Sequence, residues 1–292
     1  MEDRIQYCIF DPTGNITALV ETPVETANQP AVASKIMELE PDVEQVGFVT
    51  YANDTAPAEG SAPVSLRMAG GEFCGNATMC AAALLAIHKD LRGDAVPAQI
   101  KVKVSGTTDP LTVSLEQKDA FGFSTAVSMP PAIRIDRIEL QSREAAGADE
   151  SGPLLSLPIV EMEGISHIII EPDSGLFGIK DDPDFAESML RHWCNVLGAD
   201  CLGIMFLGEG AALRPLTPLV YVPGADTMFW ENSCASGSAA AGMYLAAKAG
   251  SPVDVTFDEP AGRFRVESDP ATGSTVLHGS AILRGSTIFA NQ

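Results

Sequence analysis

Alternating or unbroken apolar runs mark strands at residues 45–52 (QVGFVTYA), 100–104 (IKVKV), 111–117 (LTVSLEQ), 167–171, 202–208 and 218–222. Four more follow at 253–259, 263–268, 274–283 and 286–290. Four helical patterns lie between these runs. PDFAESMLRHWCNVLG has Asp182 as N-cap, Pro183 at the first helical position and Gly198 as terminator, with Phe185, Met189 and Trp193 spaced along one face. QPAVASKIMELE is its counterpart in the first half of the chain. Both read as packing helices.

The other two helical patterns each begin at a cysteine: CGNATMCAAALLAIHKDLRG from Cys74 and CASGSAAAGMYLAAKAG from Cys234. Small residues follow the cysteine, then an Ala-rich stretch, then a lysine and a terminating glycine, Gly93 or Gly250; Pro252 reinforces the second stop. Ala81 to Ala83 and Ala239 to Ala241 let neighbouring backbone come close, as a helix wrapped by strands requires. Around each cysteine the order is strand, helix, strands, cysteine-initiated helix, paired strands. The expected fold class is therefore α+β, in two pseudo-symmetric domains, each a curved mixed or antiparallel sheet around a central helix. The seam falls in residues 123–134, where Pro130 and Pro131 interrupt regular structure. The expected halves are 1–131 with 283–292, carrying Cys74, and 132–282, carrying Cys234, with the active site in the cleft between them.

Length and composition agree with a folded protein. The chain has 292 residues, enough for about two domains of ordinary size, and is 46% hydrophobic and 20% charged. No apolar run reaches the roughly 20 residues that span a bilayer, and the opening MEDRIQYCIF lacks a basic segment leading into an apolar one, so a cytoplasmic protein is expected. A net charge of −21 argues against nucleic acid and anionic membrane as partners, because phosphate recognition needs clustered cations. Six cysteines with no CxxC pair do not form a disulfide framework.

The chemistry follows from where the two cysteines stand. A thiol at a helix start faces unpaired N–H groups and the positive end of the helix dipole, both of which favour the thiolate. The same N–H groups bind anions, so Gly75 and Asn76 at one helix and Ala235, Ser236 and Gly237 at the other are placed to grip a carboxylate. Two cysteines flanking one Cα, one as thiolate base and one as thiol acid, would invert it without a cofactor. There is no P-loop, GxGxxG or HExxH, and the histidines His88, His167, His192 and His278 are scattered, so neither metal nor organic cofactor is expected.

FCGNATMCAAA, followed 160 residues later by SCASGSAAAG, resembles the diaminopimelate epimerase superfamily, which includes proline racemases and the histidine racemases of metallophore pathways. Gly14-Asn15 and the segment GISHIII at 164–170 are similar to further family motifs. The resemblance implies that Cys74 and Cys234 are the catalytic pair, that Asn15 and Asn76 contact the amino-acid moiety, that Gly75, Ala235 and Ser236 bind its carboxylate, and that His167 lines the cleft. Where diaminopimelate epimerase has a Glu-Arg pair for a distal carboxylate, this chain reads VYVPGADTMFWENSC, and Ile165 replaces an asparagine. RMAGGEFCGNAT and FWENSCASGS look closer to the histidine racemase branch, with Glu72, Asp226 and Glu231 suited to a cationic or donor-rich side chain.

The function expected is thus racemisation of histidine or a similar single-headed amino acid, the partner being that small molecule and a homodimer being left open. Diaminopimelate epimerase or a proline or hydroxyproline racemase is the nearest alternative, and a non-catalytic amino-acid-binding or thiol redox protein the next. Hydroxyproline dehydratases and phenazine-type isomerases usually lack one of the two cysteines. For Cys8, Cys80, Cys194 and Cys201 a buried structural thiol is the simpler reading. Asn15 also fits a plain turn, His167 a backbone-bonded strand residue, and Glu72 and Glu231 surface acids.

Overall fold

The computed structural model describes residues 3–52, 62–143 and 151–291. Proximity along the backbone divides the chain into two units, Met1–Met129 with Val276–Gln292, and Pro130–Thr275. The sequence alone places 276–282 in the second half; strand pairing draws this stretch to the first.

The first unit contains β1 (Asp3–Asp11), β2 (Thr17–Val20), α1 (Gln29–Leu39), β3 (Gln45–Tyr51), β4 (Val64–Met68), α2 (Gly75–Leu91), β5 (Gln99–Val104), β6 (Leu111–Gln117), β7 (Gly122–Ser128) and most of the chain's last strand, β16 (Ser274–Asn291). Successive strands β1 to β7 are neighbours, parallel at β2–β3 and β4–β5 and otherwise antiparallel. β16 pairs with β7 through Val276–Ile282 and with β1 through Ile282–Asn291. That double pairing closes an eight-stranded barrel and removes its edges. The two segments expected at 274–283 and 286–290 are one strand, bent by a register shift opposite Ile9 and Phe10.

α2 packs against β2 through β7, and every residue from Gly75 to Ile87 is buried. A helix apolar on all sides is one surrounded by protein, and its alanines allow the strands to approach. α1 lies on the outside, where Val32, Ala33 and Ile36 meet Ile5, Tyr7, Val20, Val46 and Phe48.

The second unit contains β8 (Arg134–Arg143), β9 (Ser151–Met162), β10 (Ile165–Ile170), α3 (Pro183–Leu197), β11 (Leu202–Leu207), β12 (Leu213–Val222), β13 (Thr227–Trp230), α4 (Ala235–Ala249), β14 (Val253–Asp258) and β15 (Arg263–Asp269). The strand order is β8-β9-β10-β11-β12-β14-β15, with β13 added to β12 and parallel pairs at β10–β11 and β12–β14. α3 is capped as the sequence predicts: the Asp182 carboxylate accepts from the Phe185 N–H at 3.2 Å, and Gly198 ends the helix in the left-handed region at φ 61°. Its Met189, Leu190 and Trp193 join Ile168, Ile170, Leu202, Ile204 and Phe206 in one core. Alternation then turns His167, Gly203 and Met205 to the opposite face of the sheet, toward α4.

How closely the sheet approaches α4 shows at Gly242, where an added Cβ would stand 2.5 Å from Cγ1 of Val266 on β15. Alanine improves helix propensity by about 1 kcal/mol, but overpacking a stiff valine costs about 1–3 kcal/mol. G242A is therefore expected to lower the unfolding free energy by about 1–2 kcal/mol in urea titration. A midpoint equal to or above that of the parent would show that this helix has room to spare.

Candidate active site

In the first unit, Cys74 is the N-cap of α2, with φ −136° and ψ 112°. Its Sγ accepts the Ala77 N–H at 3.3 Å and stands 2.6 Å from Oε1 of Gln45, to which a thiol would donate. Thr78 seals the same turn by giving both its N–H and its hydroxyl to the Cys74 carbonyl. Gln45 opens β3 opposite Thr17 of β2, so the strand ends beside the helix start carry polar side chains. Asn76 donates its amide to the Pro12 carbonyl at 3.1 Å, which ties the start of α2 to the turn bearing Asn15.

That turn is conformationally demanding. Thr13 and Gly14 have φ 61° and 105°, a left-handed pair held by the Gly14 N–H on the Asp11 carboxylate at 2.7 Å. It brings Asn15 inside, fully buried, and the Asn15 carbonyl accepts from the Thr17 hydroxyl. Asn15, Cys74, Gly75 and Asn76 are thus gathered at one end of the barrel. Glu72 sits in the loop just before, its carbonyl held by the Ser105 hydroxyl at 2.7 Å. Its carboxyl is pushed above the usual range mainly by burial, and Oε2 has no hydrogen-bond partner. A cavity of about 730 Å³ lined by Phe48, Ser65, Arg67 and Lys103 includes none of the candidate residues.

In the second unit the local geometry of Cys234 repeats that of Cys74. It is the N-cap of α4 at φ −129° and ψ 103°, its Sγ accepts the Gly237 N–H at 3.3 Å, and its carbonyl accepts the Ser238 N–H at 2.8 Å. The Ser236 hydroxyl lies 3.5 Å from the sulfur. Ala235, Ser236 and Gly237 are all buried, and a Cβ on Gly237 would collide with Sδ of Met205 at 2.2 Å. Only glycine fits there.

Two carboxyl groups attend this helix start. Glu231 is buried three residues ahead of the cysteine, its N–H on the Pro218 carbonyl. Glu259, just after β14, accepts the Cys234 N–H on Oε2 at 2.6 Å and bonds the Ser238 hydroxyl through Oε1. Burial, with added charge from Glu231 and Glu259, pushes the Cys234 thiol well above its ordinary range. The acidic thiol expected from the sequence is not found at this position.

His167 is fully buried, and neither ring nitrogen has a hydrogen-bond partner. A strand histidine satisfied by backbone is therefore not what the fold contains. Burial alone depresses its pKa to about 3, so the ring is neutral at physiological pH. A Cβ on Gly203 would meet its Nδ1 at 2.5 Å and Cε of Met205 at 2.9 Å, and Met205 in turn abuts Gly237. The imidazole thus lies along the same sheet face that supports Cys234. Asp226 departs from the expected site: its side chain is 89% exposed and lies 3.8 Å from Arg191.

Sequence reasoning missed Gln45 and Glu259. The first reads as an ordinary strand start and the second as an acid entering a Pro-Gly turn, and only tertiary contact reveals either. The remaining cysteines are buried and outside any disulfide; Cys8 is pushed up to about 12, first by burial and then by the charge of Glu21, and burial also raises Cys80 and Cys194.

Residues 4–278 match the family model described as the histidine racemase CntK N-terminal domain. A histidine racemase of Fusobacterium nucleatum subsp. nucleatum is 29% identical over 256 residues, covering 84% of each chain. One from Staphylococcus aureus is 28% identical over 268 residues, covering 90% of this chain and 88% of that protein. In fold, the chain is similar to a crystal structure of a hydroxyproline epimerase from Agrobacterium vitis, at a TM-score of 0.66 and 13% identity over 98% of this chain and 92% of that one. The molecule is an isomerase of the racemase and epimerase class, and the chain belongs to the histidine racemase CntK N-terminal domain family.

Proposed function

We propose that this protein racemises histidine, or a single-headed amino acid like it, by a two-base exchange between Cys74 and Cys234, without a cofactor. The observation that carries the reading is the repeated cap: each sulfur holds the N–H three residues on at 3.3 Å, at the start of a buried, Ala-rich helix. The two units are read as pseudo-symmetric copies of one α+β plan, each supplying one acid–base group. Six cysteines outside any disulfide suit a reducing, cytoplasmic setting.

The reaction requires both sulfurs to address one Cα from opposite faces. For one enantiomer Cys74 takes the Cα proton as thiolate while Cys234, held as thiol in the free protein, returns a proton to the other face; for the other enantiomer the roles exchange. Backbone N–H groups at Gly75, Asn76, Ala235 and Ser236 bind the α-carboxylate and take up the charge that spreads onto it as the carbanion develops, while the Gly237 N–H stays on the Cys234 sulfur. Asn15 and Asn76 orient the amino-acid moiety. Glu72 and Glu231, buried carboxyls, and His167, a neutral ring with unmet donors and acceptors, supply side-chain recognition of an imidazole.

In heavy water, either enantiomer of the true substrate should gain one deuterium at Cα as it inverts, and a panel of amino acids read by chiral chromatography and mass spectrometry identifies it. C74S and C234S should each slow inversion on the order of 10²–10⁴-fold while ligand affinity stays within a few-fold, because a serine hydroxyl is a poor base and acid at neutral pH. Full inversion by either variant would reject the assignment of roles.

The His167 ring also makes a stability prediction. Its folded pKa, about 3, lies below the roughly 6.5 of the unfolded chain, so the unfolded state binds the proton first as pH falls. Stability is unaffected above about pH 6.5 and is lost as pH drops below it, at up to about 1.4 kcal/mol per pH unit from this group. Urea titrations between pH 7 and 4.5 should therefore show a steeper loss for the parent than for H167F. Parallel curves would mean that the ring finds a proton-stabilising partner in solution.

A further inference from the structure

We infer that Glu259 is a positioning residue for Cys234: its carboxyl clamps the start of α4 and sets both the seat of the sulfur and how readily that sulfur ionises. The inference rests on the reading of Cys234 as an acid–base group, and its test does not depend on turnover. Glu259 lies on the β14–β15 turn, DEPAGR, where Pro260 and Gly262 form the bend and the Glu259 N–H bonds the Gly262 carbonyl at 2.9 Å. The turn is docked on the segment ahead of the cysteine by the Ala261 N–H, which reaches the Asn232 carbonyl at 3.0 Å. From this platform the carboxyl enters the interior and spans α4's first turn, one oxygen on the Cys234 N–H and the other on the Ser238 hydroxyl.

A side-chain cap supplied by the cysteine alone fixes only the Gly237 N–H. The Cys234 N–H lies at the N-cap itself, outward of Ala235 and Ser236, and its acceptor is Glu259. Holding that N–H fixes the N-cap backbone on both sides of Cα, and with it the direction of Cβ and Sγ. The two ends of the clamp are four residues apart, so the carboxyl locks one whole helical turn.

The same placement makes Glu259 an electrostatic neighbour of the sulfur. Within this unit the groups that bear on Sγ are Glu231 ahead of the helix, Glu259 beside it, Ser236 and the Gly237 N–H on the helix itself, and neutral His167 across Gly203 and Met205. Glu231 and Glu259 also oppose each other's ionisation, and burial raises Glu259 well above the carboxylate range. Any negative charge this pair retains disfavours the thiolate, so removing it while keeping the shape must make the sulfur more acidic.

Glu259→Gln is the discriminating variant: its amide oxygen still accepts the Cys234 N–H, its NH2 can donate to Ser238, and its charge is gone. Full-length protein is alkylated with iodoacetamide across a pH series, and the rate at each cysteine is read by peptide mass spectrometry. Slow access to a buried sulfur scales all rates alike, so the midpoint still reports ionisation. The expected result is a midpoint at Cys234 lowered by about half a unit or more in E259Q, with that of Cys74 unmoved. In kinetics, kcat for E259A falls about tenfold or more with little change in KM, and E259Q recovers most of it. Superimposable Cys234 curves for folded E259Q and parent would overturn the inference. Should E259Q fail to fold, E259D, which draws the carboxyl back by one methylene, must shift the Cys234 midpoint relative to Cys74, and an unshifted midpoint overturns it equally. A shifted midpoint in a protein that inverts no amino acid would keep the clamp and reject the racemase.

Discussion

A helix that starts inside a protein must find acceptors for N–H groups that water cannot reach, and in each unit the sulfur of a cysteine meets one of them. Much of the surrounding structure follows from that requirement. In the second unit the residue three after the cysteine is glycine because neighbouring chain crowds the helix mouth: Gly237 has no space for a Cβ beside Met205, and on the facing strand Gly203 has none beside His167. The strands curl around α2 and α4 because helices that are apolar on every side cannot be left against solvent. In the first unit this wrapping is complete, and β16 closes the barrel by pairing at once with β7 and β1.

The cap also places two opposing influences on the sulfur. Backbone N–H groups and the helix field favour negative charge, whereas burial disfavours it, and at Cys234 burial has two carboxyl groups as allies. On the two-base reading, a Cys234 thiol raised in this way is the proton donor for one enantiomer. On the two-base reading, a resting thiol at this position also leaves the helix-mouth N–H groups available for a substrate carboxylate instead of committing them to a thiolate.

The elements legible in the sequence are those that carry their own punctuation. Asp182, Pro183 and Gly198 bracket α3, and the cysteines with their terminal glycines bracket α2 and α4, because caps are local chemistry. Strands such as β4 (VSLRM) and β13 (TMFW) escaped because they are short, and β8 (RIDRIELQSR) because charged residues break up its apolar alternation. β16 reads as two strands because Gly285 and its neighbours interrupt the apolar run, although the backbone continues through the bend. The site divides the same way. Cys74, Cys234 and the small residues beside them announce themselves by repetition, whereas Gln45 and Glu259 act through contacts 29 and 25 residues away in sequence. Asp226 shows the converse: its charge ahead of the second cysteine motif suggested a site, and a left-handed turn at φ 51° carries its carboxylate out to solvent.

On the proposed reading, the division of labour among these groups explains how a family can keep one reaction and change its substrate. Backbone donors at the two helix starts recognise the α-carboxylate, a feature every amino acid shares, and they cannot be altered without breaking the cap itself. Selection among side chains is left to groups that the caps do not use: Glu72 with an unmatched carboxyl oxygen, and a histidine whose two nitrogens are unmatched in the ligand-free fold. A buried imidazole with both nitrogens unmatched costs folding energy and returns it only when a ligand supplies the missing partners. Such a site discriminates steeply, because a ligand without the right donor or acceptor leaves that cost in place. The caps therefore fix the chemistry, and the unmatched polar groups beside them set the choice of amino acid.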